Sequence, residues 1–259
     1  MKKALLAVSF GTTHRDTLEK NIAAIERDLA AAFPDRDLYR AFTSRMVARR
    51  LRERDGLAID STEEALERLA AGGYTDVLIQ STHVMNGEER DKMMAQALPF
   101  AERFESLTVG APLLTEIGDY HAVARALVED LPPRREDAAI VCMGHGTEHH
   151  ANAAYALLEY VFHDMGRGDI HIGTVEGYPG LEEVCRRLEE GPGVKQVLLL
   201  PLMVVAGDHA KNDLAGGEAG SWRSLLSARG YDVACRLSGL GENPGIRAIF
   251  VRHAENAQA

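Results

Sequence analysis

Thr75-Asp76-Val77-Leu78-Ile79-Gln80-Ser81-Thr82-His83-Val84-Met85-Asn86-Gly87-Glu88-Glu89-Arg90-Asp91 aligns without gaps on the later stretch Lys195 to Lys211. Val77-Leu78-Ile79 falls on Val197-Leu198-Leu199, and Gly87-Glu88-Glu89 falls on Gly207-Asp208-His209. A short apolar run that ends in a polar loop reads as a buried strand feeding a functional turn. The openings of the two halves also correspond. Leu5–Ser9 leads into Phe10-Gly11-Thr12, and Ala139–Gly144 leads into His145-Gly146-Thr147. This repeat arbitrates between two architectures. Strands separated by helices could close into a barrel, but a duplicated strand order predicts two similar open sheets facing each other.

The remaining runs extend the pattern: Ala4–Ser9, Asp37–Phe42, Thr75–Gln80 and Leu107–Gly110, then Ala138–Met143, Ile170–Val175, Gln196–Val205 and Val233–Arg236. Amphipathic stretches lie between them. Thr17–Phe33 puts Leu18, Ile22, Ile25, Leu29 and Phe33 on one helical face. Ser61-Thr62-Glu63-Glu64 is a capping box ahead of Ala65–Ala71, which Gly72-Gly73 ends. The expected fold is α/β, with two similar Rossmann-like or flavodoxin-like lobes, each a four-stranded parallel sheet flanked by helices. The lobes are expected at 1–133 and 134–259, with Leu131–Asp137 as linker.

Composition narrows the function. The 259 residues are 46% hydrophobic and 26% charged, ordinary for a globular enzyme, with net charge −10. That charge argues against nucleic acid and anionic membranes as partners; an anionic ligand needs a local cationic patch. Cys142, Cys185 and Cys235 are widely spaced and form no CxxC pair, which reads as reduced thiols in a reducing compartment. Lys2 and Lys3 precede the apolar run Ala4–Phe10, but that run is short, Gly11 ends it and no A-x-A site follows. It reads as a buried strand. No apolar run approaches the roughly 20 residues that span a bilayer, so the expected location is the cytoplasm.

Ligands of open parallel sheets bind beyond the carboxyl ends of the strands. Candidate loops there carry Gly144-His145-Gly146-Thr147-Glu148-His149-His150, Glu176-Gly177-Tyr178-Pro179, Gly207-Asp208-His209 and Gly87-Glu88-Glu89. Imidazole with carboxylate from separate strand ends suits a labile divalent-metal site. Glycines flank His145, letting the backbone turn sharply and present the ring. His149 and His150 open a helix, one as a cap and one toward solvent. Asp208 is a ligand, an orienter of His209 or a helix cap; Glu88 reads as an exposed helix-start acid. The turn Ser9-Phe10-Gly11-Thr12-Thr13 is either an anion cradle or an ordinary N-cap. His14, His121, His163, His171 and His253 read as structural. The zinc-hydrolase pattern H-E-x-x-H is not matched, and neither a P-loop nor a GxGxxG after a strand is present.

At these residues the chain resembles the anaerobic-type sirohydrochlorin cobaltochelatases of cobalamin biosynthesis, within the class II chelatase group that includes ferrochelatase. The resemblance is carried by Val8–Thr12, Arg40–Ser44, Ile79–Ser81 with His83 and Gly87, Met143–Gly146, His149-His150, Pro201–Met203 through Ala206–His209, and Leu237–Pro244. It covers almost the whole chain. It implies the chelatase fold, a cleft between two lobes as the active site, and a last helix, from about 244, that packs back on the first lobe. It also implies ATP-independent insertion of cobalt(II) into sirohydrochlorin or the related precorrin, a lyase-class reaction. His145 and His209 then handle the metal, with Glu176 and Glu89 as the acids and His145, His209 and Glu89 as the catalytic groups. Glu88 is the alternative to Glu89.

No permanent cofactor is implied; cobalt(II) is the substrate metal. The other partner is a sirohydrochlorin-type tetrapyrrole, and a homo-oligomer is left open. Candidates for binding the tetrapyrrole's acidic side chains are Ser9, Gly11, Thr12, Arg45 and Lys211, with Arg49 and Arg50 as weaker ones. Rival readings of the same histidines are a metal-dependent hydrolase and a non-catalytic metal or tetrapyrrole carrier.

Overall fold

Strand β1 (Lys3–Ser9) is buried at every position after its first. A strand with no polar face needs cover on both sides, and the sheets of this protein are parallel and helix-covered. The structure, a computed structural model, describes residues 2–191 and 193–258. Its first sheet adds β2 (Asp37–Phe42), β3 (Asp76–Ser81) and β4 (Ser106–Gly110) in the order β2-β1-β3-β4. The second sheet holds β5 (Ala138–Gly144), β6 (Ile170–Thr174), β7 (Gln196–Pro201) and β8 (Asp232–Cys235) in the order β6-β5-β7-β8. The two orders are one topology used twice. Its direction reverses between the first and third strands, which opens a crevice at their carboxyl ends. The loops after β1 and β3, and after β5 and β7, therefore flank equivalent crevices.

The contacts divide the chain into one unit of residues 1–119 with 241–259 and another of 120–240. The expected division lay between 133 and 134. Residues 120–133 go with the second unit because their end is tied there. Arg236 donates to Asp130 O at 2.9 Å, and Arg167 donates to Pro132 O at 3.1 Å. The segment from Leu131 to Asp137 thus lies inside the second unit. The helix Pro244–Glu255, capped by Asn243, packs on the helix Ala23–Ala32 and on β3 and β4 of the first unit.

Each unit has its own core. Leu6, Val8, Leu66, Leu69, Val77, Ile79, Met93 and Phe100 build the first. Val141, Met143, Val184, Leu188, Leu199, Leu214, Trp222 and Leu226 build the second. Burying a side chain of this size stabilises by about 2 kcal/mol, the main favourable contribution. The expected capping box forms: Ser61 Oγ accepts from Glu64 N at 3.3 Å and Glu64 accepts from Ser61 N at 2.7 Å.

Most expected strands shift by one residue at an end, and two elements differ more. Strand β7 stops at Pro201, not at Val205. Beyond that proline the ladder to β5 continues for one bond, Leu202 N to Met143 O at 2.8 Å, before the chain turns away and Met203 O accepts from Leu240 N at 2.8 Å. The apolar residues 202–206 are a loop that carries the chain to His209. The stretch Thr17–Phe33 is helical, but Leu18–Ile22 is a π-turn ahead of Ala23–Ala32. Among the described residues no helix is long and apolar enough to cross a membrane.

Candidate functional site

The second unit gathers His145, Glu176 and His209, whose ligand atoms all lie within 4.8 Å of one another. They come from the loops after β5, β6 and β7. The backbone fixes the first two loops together. Glu176 N donates to His145 O at 2.8 Å, and Val175 N to His145 O at 3.1 Å. Gly146, at φ +84°, makes the approach feasible. A Cβ there would stand 2.6 Å from Gly177 N and 2.8 Å from the Thr174 side chain. Asn152 closes the far side, accepting from Thr147 N at 3.1 Å and donating to Tyr178 O at 2.6 Å.

Hydrogen bonding settles which ring nitrogens are available. His145 Nδ1 faces Gly146 O at 2.8 Å, so Nδ1 carries the proton. Its Nε2 keeps a lone pair and lies 3.8 Å from Glu176 Oε2. His209 Nδ1 faces Asp213 Oδ2 at 2.6 Å, which likewise leaves Nε2 for a metal. A carboxylate behind a ligating imidazole fixes the ring and raises its basicity. The two rings meet edge to face, with centroids 4.7 Å apart. Glu176 is exposed, and both histidines are partly so. Two neutral imidazoles and one carboxylate, reachable from solvent, can hold a borderline divalent ion and leave coordination positions open.

In the first unit, Glu89 takes the place that His209 takes in the second: each is the second residue of the helix after the third strand. The choice between the paired acids is clear. The Glu88 side chain is 65% exposed and that of Glu89 27%. Burial alone would raise the Glu89 carboxyl, but Lys92, at 2.7 Å, and the Thr43 hydroxyl outweigh it and hold the group below its usual value. Glu89 Oε2 is nonetheless buried without a hydrogen-bond partner. Behind it is His83, absent from the sequence-based candidates. Ser81 Oγ is 2.9 Å from its Nδ1, and Thr43 Oγ1 is 3.4 Å from its Nε2. Burial pushes His83 down to about 4, so the ring is neutral. Thr43 follows β2, while Ser81 and His83 end and follow β3, so this hydroxyl–imidazole chain also lies at the carboxyl edge of a sheet.

The other candidates fall out as follows. Ser9 ends β1, is 4% exposed, and its Oγ has no partner. Gly11 has φ +99° and packs on Phe42, where a Cβ would stand 2.5 Å from the ring. Thr12 Oγ1 accepts from His14 N at 3.2 Å, which makes a local turn, while His14 holds the N-cap position of the helix. Arg45 is exposed at the start of the helix Arg45–Asp55, behind the Ser44 cap. Lys211 lies two residues past His209, half-buried in the π-turn Ala210–Leu214. His149 caps the turn His150–Asn152, accepting from Ala151 N at 3.1 Å, and His150 is exposed.

A second histidine cluster does other work. Glu159, His163 and His171 converge in the second unit. Glu159 is already taken by Arg187 and by Ile172 N at 2.9 Å, and His163 Nε2 donates to Ile170 O at 2.9 Å. A nitrogen donating to a carbonyl offers no lone pair to a metal, and Arg187 repels a cation. This cluster pins the helix Ala153–Asp164 to β6.

Known proteins resemble this chain over nearly its whole length. The profile of the family described as "Cobalt chelatase (CbiK)" matches residues 3–259. The chain is 50% identical over 257 residues to the sirohydrochlorin cobaltochelatase of Salmonella typhimurium, covering 99% of this chain and 97% of that one. It is 36% identical to the sirohydrochlorin cobaltochelatase CbiKC of Nitratidesulfovibrio vulgaris, covering 97% and 89%. Among solved structures, SirB from Bacillus subtilis with Fe3+ superposes with a TM-score of 0.68 at 16% identity, over 99% of this chain and 95% of that one. That last likeness is one of fold.

Proposed function

The chain belongs to the CbiK family of cobalt chelatases, and from that premise we propose that it inserts cobalt(II) into sirohydrochlorin without nucleotide, His145, Glu176 and His209 handling the metal. The observation that carries this reading is the three-residue cluster itself. Its lone pairs converge from three strand ends, its loops are tied by backbone, and no fourth protein ligand joins it among the described residues. A site that must release its metal gains from incomplete, exchangeable coordination.

The division of labour follows from the donors. His145 and His209 present Nε2 because Gly146 O and Asp213 hold the Nδ1 protons. Glu176 offsets part of the ion's charge. Metallation exchanges these protein ligands for the macrocycle's nitrogens and frees two pyrrole protons, one of which passes to solvent. Glu89 is the proposed acceptor of the other: it is ionised, partly shielded from water, and has a free oxygen. Lys92 steadies its charge. Ser9, Gly11, Thr12, Arg45 and Lys211 remain proposed contacts for the acidic side chains. The reading includes a cytoplasmic setting and a place in anaerobic cobalamin assembly. The free thiols of Cys142, Cys185 and Cys235 agree with a reducing compartment, and a net charge of −10 disfavours nucleic acid.

The test is an absorbance assay of the purified protein with sirohydrochlorin and cobalt(II), nickel(II) or iron(II). Cobalt insertion above the spontaneous rate, over many turnovers, is expected. Saturation at one equivalent with no turnover would mark a carrier instead.

A further inference from the structure

Arg90 is the third residue of the helix Glu88–Ala97. Its Nε is buried and has no hydrogen-bond partner, and among the described residues no carboxylate lies within ion-pair distance of its guanidinium. The nearby acids are engaged elsewhere: Lys92 meets Glu88 at 3.2 Å and Glu89 at 2.7 Å. Most half-buried arginines of this chain are paired. Arg36 holds Asp76, Arg40 holds Glu26 and Arg187 holds Glu159, and the buried Arg167 holds Asp169.

The position of Arg90 disfavours a cation in two ways. The first turn of a helix carries the positive end of its dipole. A half-buried guanidinium also gives up water, and an unpaired buried donor is costly. On the His83 side the one carboxylate is that of Glu89, which is ion-paired with Lys92 and not with Arg90. His83 is held neutral, chiefly by burial, and the positive charge of Arg90 opposes its protonation further. A charge kept at such a place fits an anion that arrives with a ligand. Ser9 Oγ, buried and unpartnered at the end of the adjacent strand β1, supplies a second polar group at the same edge of the sheet.

We propose that Arg90 anchors a carboxylate side chain of the tetrapyrrole substrate, as a substrate-binding residue additional to Ser9, Gly11, Thr12, Arg45 and Lys211. The inference rests on the chelatase reading above, since it takes its ligand from there. A guanidinium suits the task because its planar fork meets a carboxylate through two charge-assisted bonds. Arg90 and Glu89 then act on different parts of one ligand, the acidic periphery and the N–H centre.

The test compares wild type with Arg90→Gln and Arg90→Lys. In steady-state insertion, Arg90→Gln should raise KM for sirohydrochlorin about tenfold or more, the loss of a charge-assisted contact, with kcat within about twofold and KM for cobalt(II) unchanged. Arg90→Lys should recover part of the loss. Binding of metal-free sirohydrochlorin, followed by quenching of its fluorescence, should weaken in parallel. The permethyl ester of sirohydrochlorin, in dilute detergent, should bind wild type and Arg90→Gln alike. An unchanged KM in a folded Arg90→Gln protein, or equal weakening for acid and ester, overturns the proposal. Should Arg90→Gln fail to fold, the same comparison is made with Arg90→Met, which keeps most of the side chain's bulk. Absence of insertion by wild type would instead overturn the chelatase reading, while the binding comparison would still read Arg90.

Discussion

The helices that follow β3 and β7 start at matching points of one topology, and they present opposite chemistry. After β7 the second helical residue is His209, partly exposed and paired with its neighbour His145 across a 4.7 Å ring contact. After β3 it is Glu89, shielded, with a neutral buried histidine behind it. The first arrangement offers lone pairs suited to a borderline divalent cation. The second offers a negative charge to a proton. A duplicated scaffold has placed an imidazole and a carboxylate on equivalent loops, and what separates them is solvent access and the partner each side chain keeps.

The comparison can be broken most severely at the imidazoles. His145→Ala and His209→Ala should each reduce insertion to the spontaneous rate, because Glu176 and one ring cannot hold the ion. The melting temperature should move by no more than about 2 °C, since no packed core is lost. Turnover above background in either variant, read by absorbance, would remove the metal role from the second unit.

Glu89→Gln comes next. It keeps the shape and removes the charge, and kcat should fall about a hundredfold while tetrapyrrole binding changes little. Glu88→Gln should do neither, its carboxylate being largely in solvent. The reverse pattern would shift the acid by one residue.

His83 sharpens the contrast through stability. Its folded value is about 4, against about 6.5 when unfolded. Between those values the unfolded chain binds the extra proton, so native stability falls as pH drops through this window. His83 should account for a loss of about 2 kcal/mol at pH 5 relative to pH 7. Glu89 and Arg90 are the charged groups facing it. Urea unfolding at the two pH values should show that loss in wild type and a smaller one in His83→Gln. Equal losses would mean that the ring is not buried neutral.

The smallest effect is expected at Asp213. Asp213→Asn leaves His209 in place but weakens its orientation, and cobalt(II) affinity should fall about tenfold, measured by competition with a chromophoric chelator. An unchanged affinity would show that the 2.6 Å contact does nothing for the metal.

Much of this was legible beforehand, and the reasons are local. The repeat from Thr75 and Lys195 predicts the shared strand order because buried parallel strands are short, apolar and followed by loops with polar work. Glycines beside His145 predict a presented ring. Other features escape such reading. Val204 and Val205 look like strand, but Pro201 cannot donate to the ladder and the strand ends there. His83 is one of a run of polar residues, Gln80 to His83, and only tertiary burial makes it a neutral partner for Thr43. Asp213 stands four residues after His209, a spacing visible in the sequence, but the π-turn between them is not. The division between units falls inside the helix Ile117–Asp130, where composition does not change.

Gly146 leaves one consequence for anyone wishing to alter this protein. Its left-handed φ and the hydrogen bond from Glu176 N to His145 O make the loops of His145 and Glu176 a single plate of main chain. The spacing of the donors is therefore a property of the backbone. Side chains at 145 and 176 can be exchanged as tools are exchanged in one holder, altering hardness or charge without resetting the distance. Replacing Gly146 would do the opposite, leaving every donor in the sequence and moving the holder itself.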